Sequence, residues 1–202
     1  NTTLNFTADT TNIAGFFTNN GTTNFNANTT FDTETTELTN SGTITIASGK
    51  KLSLFDGSSI INSGSITGAS GSIVVNSGLT IENSGSLTTN IIGSGGVDIL
   101  SYDGNGGTNT FTGNINLGID STGATAQNDA DQIEVSGGTS STFTGGTISS
   151  GIFFVSGGTV NLASKLELYG TNSQLTVGFS TLNFTASQNH VLNSVEATGS
   201  TL

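Results

Sequence analysis

The residues that could carry out nucleophilic chemistry are few. The chain contains no cysteine and a single histidine, His190. A Ser-His-Asp hydrolase would need this histidine beside a serine and a distant aspartate, but His190 lies in an Asn-, Ser- and Val-containing stretch without a nucleophile elbow. We therefore predict a surface imidazole and no catalytic triad.

Paired carboxylates are the second possibility. A glycosidase needs two acidic side chains across one cleft, and the sequence offers Asp98 with Asp103, or Asp129 with Asp131 and Glu134. A polysaccharide lyase would also need basic residues, and the chain has three lysines and no arginine. No row of aromatic residues for stacking on sugars accompanies these acids. We expect solvated carboxylates and no enzyme, and the alternative is a carbohydrate-active β-helix of the tailspike or lyase kind.

One stretch has the composition of a calcium loop. Gly93–Leu100 (GSGGVDIL) resembles the G-G-x-G-x-D-x-L repeat of calcium-binding RTX proteins. That roll needs successive copies, and the residue nine positions after Asp98 is Gly107. We expect a glycine turn followed by a strand with Val97 and Ile99 pointing inward, and no bound metal or cofactor.

Hydroxyl pairs follow the turn glycines at a fixed distance. With an apolar residue between the two hydroxyls of each pair, they resemble the T-x-T arrays of ice-binding β-solenoids, which makes ice binding a third functional alternative. Exposed positions of stacked strands also favour Thr without any ligand, and we expect that explanation to hold. The predicted surface ladder consists of Thr43, Thr45, Ser65, Thr67, Ser86 and Thr88.

The elements that would position these side chains are indicated by a repeat. The turn glycines Gly21, Gly42, Gly64, Gly85 and Gly106 are separated by 21, 22, 21 and 21 residues. Each interval contains about three short stretches of alternating apolar residues, which is typical of strands. Three strands per coil of about 21 residues predict a right-handed, single-stranded parallel β-helix, because crossovers between parallel strands are nearly always right-handed.

The composition agrees with an all-β chain. Hydrophobic residues make up 32% and charged residues only 8%, whereas disordered chains carry more charge and fewer apolar residues. The chain has no proline, as expected where nearly every residue takes part in a hydrogen-bonded ladder. We predict one β-helix over residues 1–202, with regular coils at about 20–117 and less regular coils at 133–202.

The repeat is interrupted by a polar segment, Gly118–Gln132 (GIDSTGATAQNDADQ). We interpret it as a loop extruded from one corner of the rod. The side chains predicted to face a ligand there are Asp120, Gln127, Asn128, Asp129 and Asp131.

Four copies of Asn-Ser-Gly begin at Asn40, Asn62, Asn76 and Asn83. Their spacing predicts that three of them form the same corner of successive coils and that the copy at Asn76 forms a different corner. We expect Asn and Gly to supply left-handed backbone at these turns.

The charge balance limits the partners. The formal net charge is −11, which excludes nucleic acid as a partner because phosphate binding needs clustered Lys and Arg. No apolar run reaches the length of a transmembrane helix.

Three features together resemble the β-helical passenger domains of Gram-negative autotransporters and related type V secreted adhesins. They are the N-x-G-T/S corners, the Gly-Gly-Thr doublets at Gly137 and Gly157, and the stretch Asp129–Gly137 (DADQIEVSG), which is similar to a D-x-I/L-x-V-x-G pattern of such passengers.

The resemblance implies a non-catalytic adhesin or stalk segment in the extracellular space or on the bacterial cell surface. The full-length protein would be anchored in the outer membrane, and this chain would be a fragment without translocator barrel or signal peptide. The expected partner is a host-cell, bacterial-surface or matrix ligand, either protein or glycan, and self-association is possible.

Overall fold

The computed structural model describes residues 2–10, 13, 15–31, 36–105, 108–136 and 140–202. Within these ranges the chain forms 23 β-strands and no helix. The predicted corner glycines Gly106, Gly137 and Gly138 lie outside the described residues.

The strands are short, and two of them turn a corner and continue on the next face. In chain order they are β1 (Thr3–Phe6), β2 (Phe16–Asn19), β3 (Thr22–Phe25), β4 (Thr29–Phe31), β5 (Glu37–Asn40), β6 (Thr43–Ile46), β7 (Lys51–Leu54), β8 (Ser58–Asn62), β9 (Ser65–Val75), β10 (Gly78–Asn83), β11 (Ser86–Ile92), β12 (Ile99–Asp103), β13 (Thr108–Thr112), β14 (Ile115–Asn116), β15 (Gln132–Ser136), β16 (Ser140–Phe143), β17 (Thr147–Ser150), β18 (Ile152–Ser156), β19 (Thr159–Leu162), β20 (Lys165–Leu168), β21 (Gln174–Gly178), β22 (Thr181–Phe184) and β23 (Val195–Thr198).

These strands stack into three faces. Face 1 is a nine-stranded sheet of β2, β5, β8, β10, β12, β15, β18, β21 and β23. Face 2 consists of β1, β3, β6, β13, β16, β19, β22 and the first parts of β9 and β11, and face 3 of β4, β7, β14, β17, β20 and the second parts of β9 and β11. All named strand pairs are parallel, as in Leu38–Ile60 and Ile60–Ile81, which are one coil apart. The predicted fold class, an all-β parallel β-solenoid with coils of about 21 residues, is confirmed.

The core lies inside the coils and is formed by stacked columns of apolar side chains. In most strands buried residues alternate with partly exposed ones, as in Lys51–Leu54, where Leu52 and Leu54 are buried. Because successive side chains of a strand point to opposite faces, every second residue enters the core. Nine coils at a strand spacing of about 4.8 Å make a rod roughly 40–45 Å long.

The Asn-Ser-Gly corners between faces 1 and 2 contain a buried asparagine ladder. The Nδ2 atom of each asparagine donates to Oδ1 of the next at 2.7 Å, through Asn19, Asn40, Asn62 and Asn83. Asn83 then donates to the hydroxyl of Tyr102 at 2.9 Å. The predicted equivalence of Asn40, Asn62 and Asn83 is confirmed, and Asn76 lies at a different corner, between faces 3 and 1, where β9 ends and β10 begins.

The expected left-handed backbone at these corners is wrong. Asn40, Asn62 and Asn83 are not among the residues with positive φ, and neither is Gly64. Glycine is required for another reason: a Cβ on Gly64 would overlap the carbonyl oxygen of Gly42 and lie 2.7 Å from the carbonyl carbon of Ser41. The corner glycines therefore allow adjacent coils to approach closely.

The expectation for Val97 and Ile99 is also wrong. Their side chains are 43% and 41% exposed, and the residue between them, Asp98, is fully buried. The Asp98 carboxylate accepts hydrogen bonds from the backbone N–H of Ser94 at 2.7 Å and of Ser77 at 3.1 Å. A buried carboxylate needs such donors, so Asp98 holds this corner together and Leu100 begins the inward pattern.

Candidate functional site

The most prominent departure from the coil is the excursion, residues 117–131, which joins β14 on face 3 to β15 on face 1. Its first half is a hairpin: Ile119 and Thr125 form an antiparallel bridge, and the N–H of Ala126 donates to the carbonyl of Gly118 at 2.9 Å.

Asp120 organises the tip of this hairpin. Its Oδ1 accepts from the Thr122 hydroxyl and N–H, both at 2.7 Å, and from the N–H of Ala124 at 2.9 Å. The hydrogen bond from the Thr122 side chain, followed by those from the backbone, lowers the pKa of the Asp120 carboxyl. The tip is thus a fixed turn carrying a negative charge.

The base of the excursion is fastened by Asp131, which is fully buried. Its Oδ1 accepts from the N–H of Asp98 at 2.9 Å, and its Oδ2 accepts from the N–H of Asn128 at 3.1 Å and from the hydroxyl of Tyr169 at 2.5 Å. Burial raises the pKa of Asp131, and the hydrogen bond from Tyr169 partly offsets this shift. Burial also raises the pKa of Tyr169, as does its bond to Asp131, so Tyr169 remains the proton donor.

The other predicted ligand-facing residues of the excursion differ in accessibility. The Asp129 carboxylate is half-buried and accepts from the N–H and hydroxyl of Thr171, both at 3.2 Å. Asn128 is half-buried and bonds the N–H of Ala130 at 3.0 Å. Gln127 is exposed. Asp129 and Asp131 therefore attach the excursion to the rod, while the hairpin tip and Gln127 face outward.

A groove lies between the excursion and face 3, with a volume of about 570 Å³. Its floor is formed by two columns of outward-pointing residues on successive coils of face 3, and its wall by the hairpin of the excursion. The floor residues include Lys51, Ser72, Asn90, Ile92, Asn114, Asn116, Thr147 and Glu167, and the wall includes Ile119, Ser121, Thr122 and Gly123.

Charged groups stand at the two ends of this groove. Lys51 reaches across it, and its Nζ donates to the backbone carbonyl of Ser121 on the hairpin. At the other end Glu167 forms an ion pair with Lys165. Lys51 thus connects the wall to the floor.

Sequence reasoning missed the groove residues. Lys51, Ser72 and Asn90 are outward residues of one column, and their spacing of about one coil was the available signal. Which face the excursion folds onto depends on the buried contacts of Asp131 and Tyr169, which no local pattern indicates.

The hydroxyl ladder is part of a longer array on face 2. The structure places Thr43, Ser65 and Ser86 in one outward column and Thr45, Thr67 and Thr88 in the next. The first column runs on through all nine coils as Thr3, Thr22, Thr43, Ser65, Ser86, Thr110, Thr142, Asn161 and Asn183, and the second contains Asn5, Asn24, Thr45, Thr67, Thr88 and Thr112. Neither column contains a charged residue.

The carboxylate pairs proposed for glycoside hydrolysis do not converge on this groove. Asp98 is buried at a corner, whereas Asp103 and Glu134 lie at outward positions of face 1. Among the described lining residues, Glu167 is the one carboxylate. In the described part of the chain no three His, Asp or Glu side chains are grouped so that they could hold a metal ion.

The expected surface imidazole is corrected by the structure. His190 is half-buried, its Nδ1 accepts a hydrogen bond from the N–H of Leu166 at 3.1 Å, and its ring lies 4.4 Å from that of Phe184. Burial, together with the nearby Lys165, lowers the pKa of His190. The histidine packs against the last coils of the rod.

Comparisons with protein-family models, with curated proteins and with solved structures each find no match. Among the described residues no helix is long and apolar enough to cross a membrane. The fold and the geometry of this chain therefore carry the functional argument.

Proposed function

We propose that this chain is a non-catalytic adhesin or stalk segment, secreted or exposed on a bacterial surface, that attaches to a cell or matrix ligand through the excursion. The observation that carries this proposal is the excursion itself: a 15-residue departure from the coil, fastened at its base by buried Asp131 and across the groove by Lys51. A preformed loop on a rigid scaffold loses little conformational entropy on binding.

The resemblance to autotransporter passengers supports the same assignment. A rod with polar corners and no cysteine suits an extracellular stalk, and the full-length protein would carry the outer-membrane anchor. The ligand is a protein or a glycan of a host cell, a neighbouring bacterium or the matrix. Self-association of rods is a further mode of attachment within this proposal.

The test is adhesion with a shortened hairpin. Replacing Asp120–Ala124 by Asn-Gly retains the bridge between Ile119 and Thr125, because two-residue Asn-Gly turns suit hairpins. We expect the purified intact chain to bind cultured epithelial cells or immobilised fibronectin, collagen or laminin, and the shortened variant to lose most of that binding.

The matched control is Thr80→Ala on the outward side of face 1, which should bind like the parent. Equal binding by the shortened variant would contradict the role of the excursion. Release of new reducing ends or unsaturated products from a polysaccharide would contradict the non-catalytic assignment and favour the carbohydrate-active alternative.

A second candidate function, ice binding, is favoured by the array on face 2. The two columns present hydroxyl and amide groups about 4.8 Å apart between coils and about 6.6 Å apart along each strand, without charge. Thermal hysteresis that disappears in Thr67→Lys, a substitution at the centre of the array, would support it. An intact chain without hysteresis would exclude it.

A further inference from the structure

The floor of the groove presents polar groups at a regular spacing along the rod. Ser72, Asn90, Asn114 and Thr147 lie on four successive coils, so that one hydroxyl or amide follows another about every 4.8 Å. Side-chain amides and hydroxyls both donate and accept hydrogen bonds. A ligand with alternating donors and acceptors along its length fits this floor.

Two floor hydroxyls are free to bind such a ligand. Within the described part of the chain, the hydroxyl groups of Ser72 and Thr147 make no hydrogen bond, although both residues line the groove. The amide of Asn114 is already oriented, since its Oδ1 accepts from the N–H of Thr147 at 2.9 Å and its Nδ2 donates to Asn90 Oδ1 at 3.3 Å. The floor therefore combines oriented amides with hydroxyls that have no partner within the described residues.

Two isoleucine side chains accompany these polar groups. Ile92 belongs to the floor and Ile119 to the wall, and both line the groove. Ligand sites combine such apolar contact area with a few placed polar groups. A sugar ring has this dual character, with C–H groups on its faces and hydroxyls at its rim.

The charges in the groove argue against a polyanionic ligand. The Nζ of Lys51 is bonded to the Ser121 carbonyl, and Lys165 is paired with Glu167. The net charge of −11 adds long-range repulsion of anions.

An extended peptide is disfavoured by the backbone. Peptides that bind a sheet as an added strand need an edge with unpaired N–H and C=O groups. On face 3 the backbone groups are paired with the coils on either side, as in Ser72 between Lys51 and Asn90. The strands of the floor therefore present side chains, not free backbone groups, to the groove.

We propose that the groove between the excursion and face 3 binds a neutral oligosaccharide that lies along the axis of the rod. This inference rests on the proposed function and deepens it by naming the ligand class. Ser72 and Thr147 hydrogen-bond sugar hydroxyls, and Ile92 with Ile119 contacts a ring face.

The experiment is titration of the intact chain with defined tetrasaccharides, followed by calorimetry or by chemical-shift changes. The probes are neutral hexose and N-acetylhexosamine tetrasaccharides, with a uronic acid tetrasaccharide as the acidic arm. The variants Ser72→Gln and Thr147→Gln fill the floor of the groove without touching the core. Thr80→Gln on face 1 makes the same change at an exposed position outside the groove.

We expect at least one neutral probe to bind, each groove variant to weaken that binding by tenfold or more, and Thr80→Gln to leave it unchanged. Thermal unfolding of the variants establishes that they remain folded. The inference is overturned if no neutral probe binds, if the acidic probe binds better, or if the groove variants bind like the parent.

Its failure is distinguishable from failure of the proposed function. If hairpin shortening abolishes adhesion while the groove variants adhere normally and no neutral probe binds, the adhesin proposal stands and the oligosaccharide inference falls. If neutral probes bind but the intact chain adheres to no cell or matrix surface, the inference stands and the proposed adhesion falls.

Discussion

At the residue scale, the asparagine ladder requires an asparagine at the same corner of successive coils. Each ladder asparagine is buried, and both its amide N–H and its amide oxygen are hydrogen-bonded. Asn62, for example, accepts from Asn40 through Oδ1 and donates to Asn83 through Nδ2. Removing Asn62 leaves the buried Oδ1 of Asn83 without its donor, whereas Nδ2 of Asn40 keeps the carbonyl of Ser65 at 3.2 Å. A buried polar group left unpaired costs about 1–3 kcal/mol. The ladder ends where Tyr102 and Asn109 take over, with the Tyr102 hydroxyl donating to Asn109 Oδ1 at 2.9 Å, and burial raises the pKa of Tyr102 to about 12.

We therefore predict that Asn62→Ala lowers the free energy of unfolding by roughly 2–3 kcal/mol. Asn76→Ala is the matched control, because Asn76 begins the same tripeptide but lies between faces 3 and 1, outside the ladder. We expect it to change stability by less than about 0.5 kcal/mol. Urea unfolding of both variants is the measurement. Equal losses of unfolding free energy in the two variants would contradict a specific contribution of the ladder to stability.

The corner glycines lead to a second prediction. A Cβ on Gly64 would overlap backbone atoms of the preceding coil, and backbone cannot move aside within a paired ladder, so Gly64→Ala should cost about 3 kcal/mol. Gly96 has only the Ser94 hydroxyl near its Cβ position, at 3.8 Å, and Gly96→Ala should be close to neutral. Urea unfolding of both variants is the measurement. A Gly64→Ala variant as stable as the parent would indicate that neighbouring coils can separate to admit the methyl group.

At the element scale, the sequence predicted the coil but not how the excursion folds back. The period and the alternation of buried and exposed residues follow from the strand geometry, which repeats locally, so stretches such as Lys51–Leu54 were predictable. The inverted order at Val97, Asp98 and Ile99 was not, because the buried position there is a carboxylate that accepts from the N–H of Ser77, one coil away, as well as from Ser94. The groove was missed for the same reason, since it exists only once Asp131 meets Tyr169.

The base of the excursion can be tested through Tyr169→Phe. Without the hydroxyl, buried Asp131 loses a donor, which costs about 1–3 kcal/mol at neutral pH. The folded-state pKa of Asp131 is already raised by burial, and loss of the donor raises it further. A raised folded pKa contributes stability at low pH that is lost as pH rises through it, so the penalty of the substitution should be larger at pH 7 than at pH 4.

Urea unfolding at the two pH values measures this difference. The matched control is Thr171→Val, which removes a hydroxyl from the more exposed Asp129 and should cost less than about 0.5 kcal/mol at either pH. A loss of stability for Tyr169→Phe that is equal at both pH values would contradict the role of the Tyr169 hydroxyl in stabilising ionised Asp131.

At the scale of the whole molecule, the three faces differ in charge and in shape. Face 2 is uncharged along its two outward columns, face 3 carries the groove, and face 1 has acidic residues at outward positions, among them Glu37, Glu82, Asp103, Glu134 and Glu196. A rod that keeps charge out of the outward columns of face 2, and confines the charged residues of the groove to its two ends, leaves both surfaces open to uncharged partners.

That arrangement makes the stability of the rod depend on salt. Glu82 and Asp103 are register neighbours on adjacent strands, and like charges in such pairs destabilise a sheet. Since the Debye length falls from about 30 Å at 0.01 M to about 3 Å at 1 M salt, the melting temperature should rise over that range of sodium chloride. Glu82→Gln should raise the melting temperature at low salt and flatten its salt dependence, whereas Thr80→Gln on the same strand should do neither. Calorimetry of the three proteins is the measurement, and a melting temperature that falls with salt would mean that attractive pairs such as Lys165 with Glu167 outweigh the repulsion along face 1.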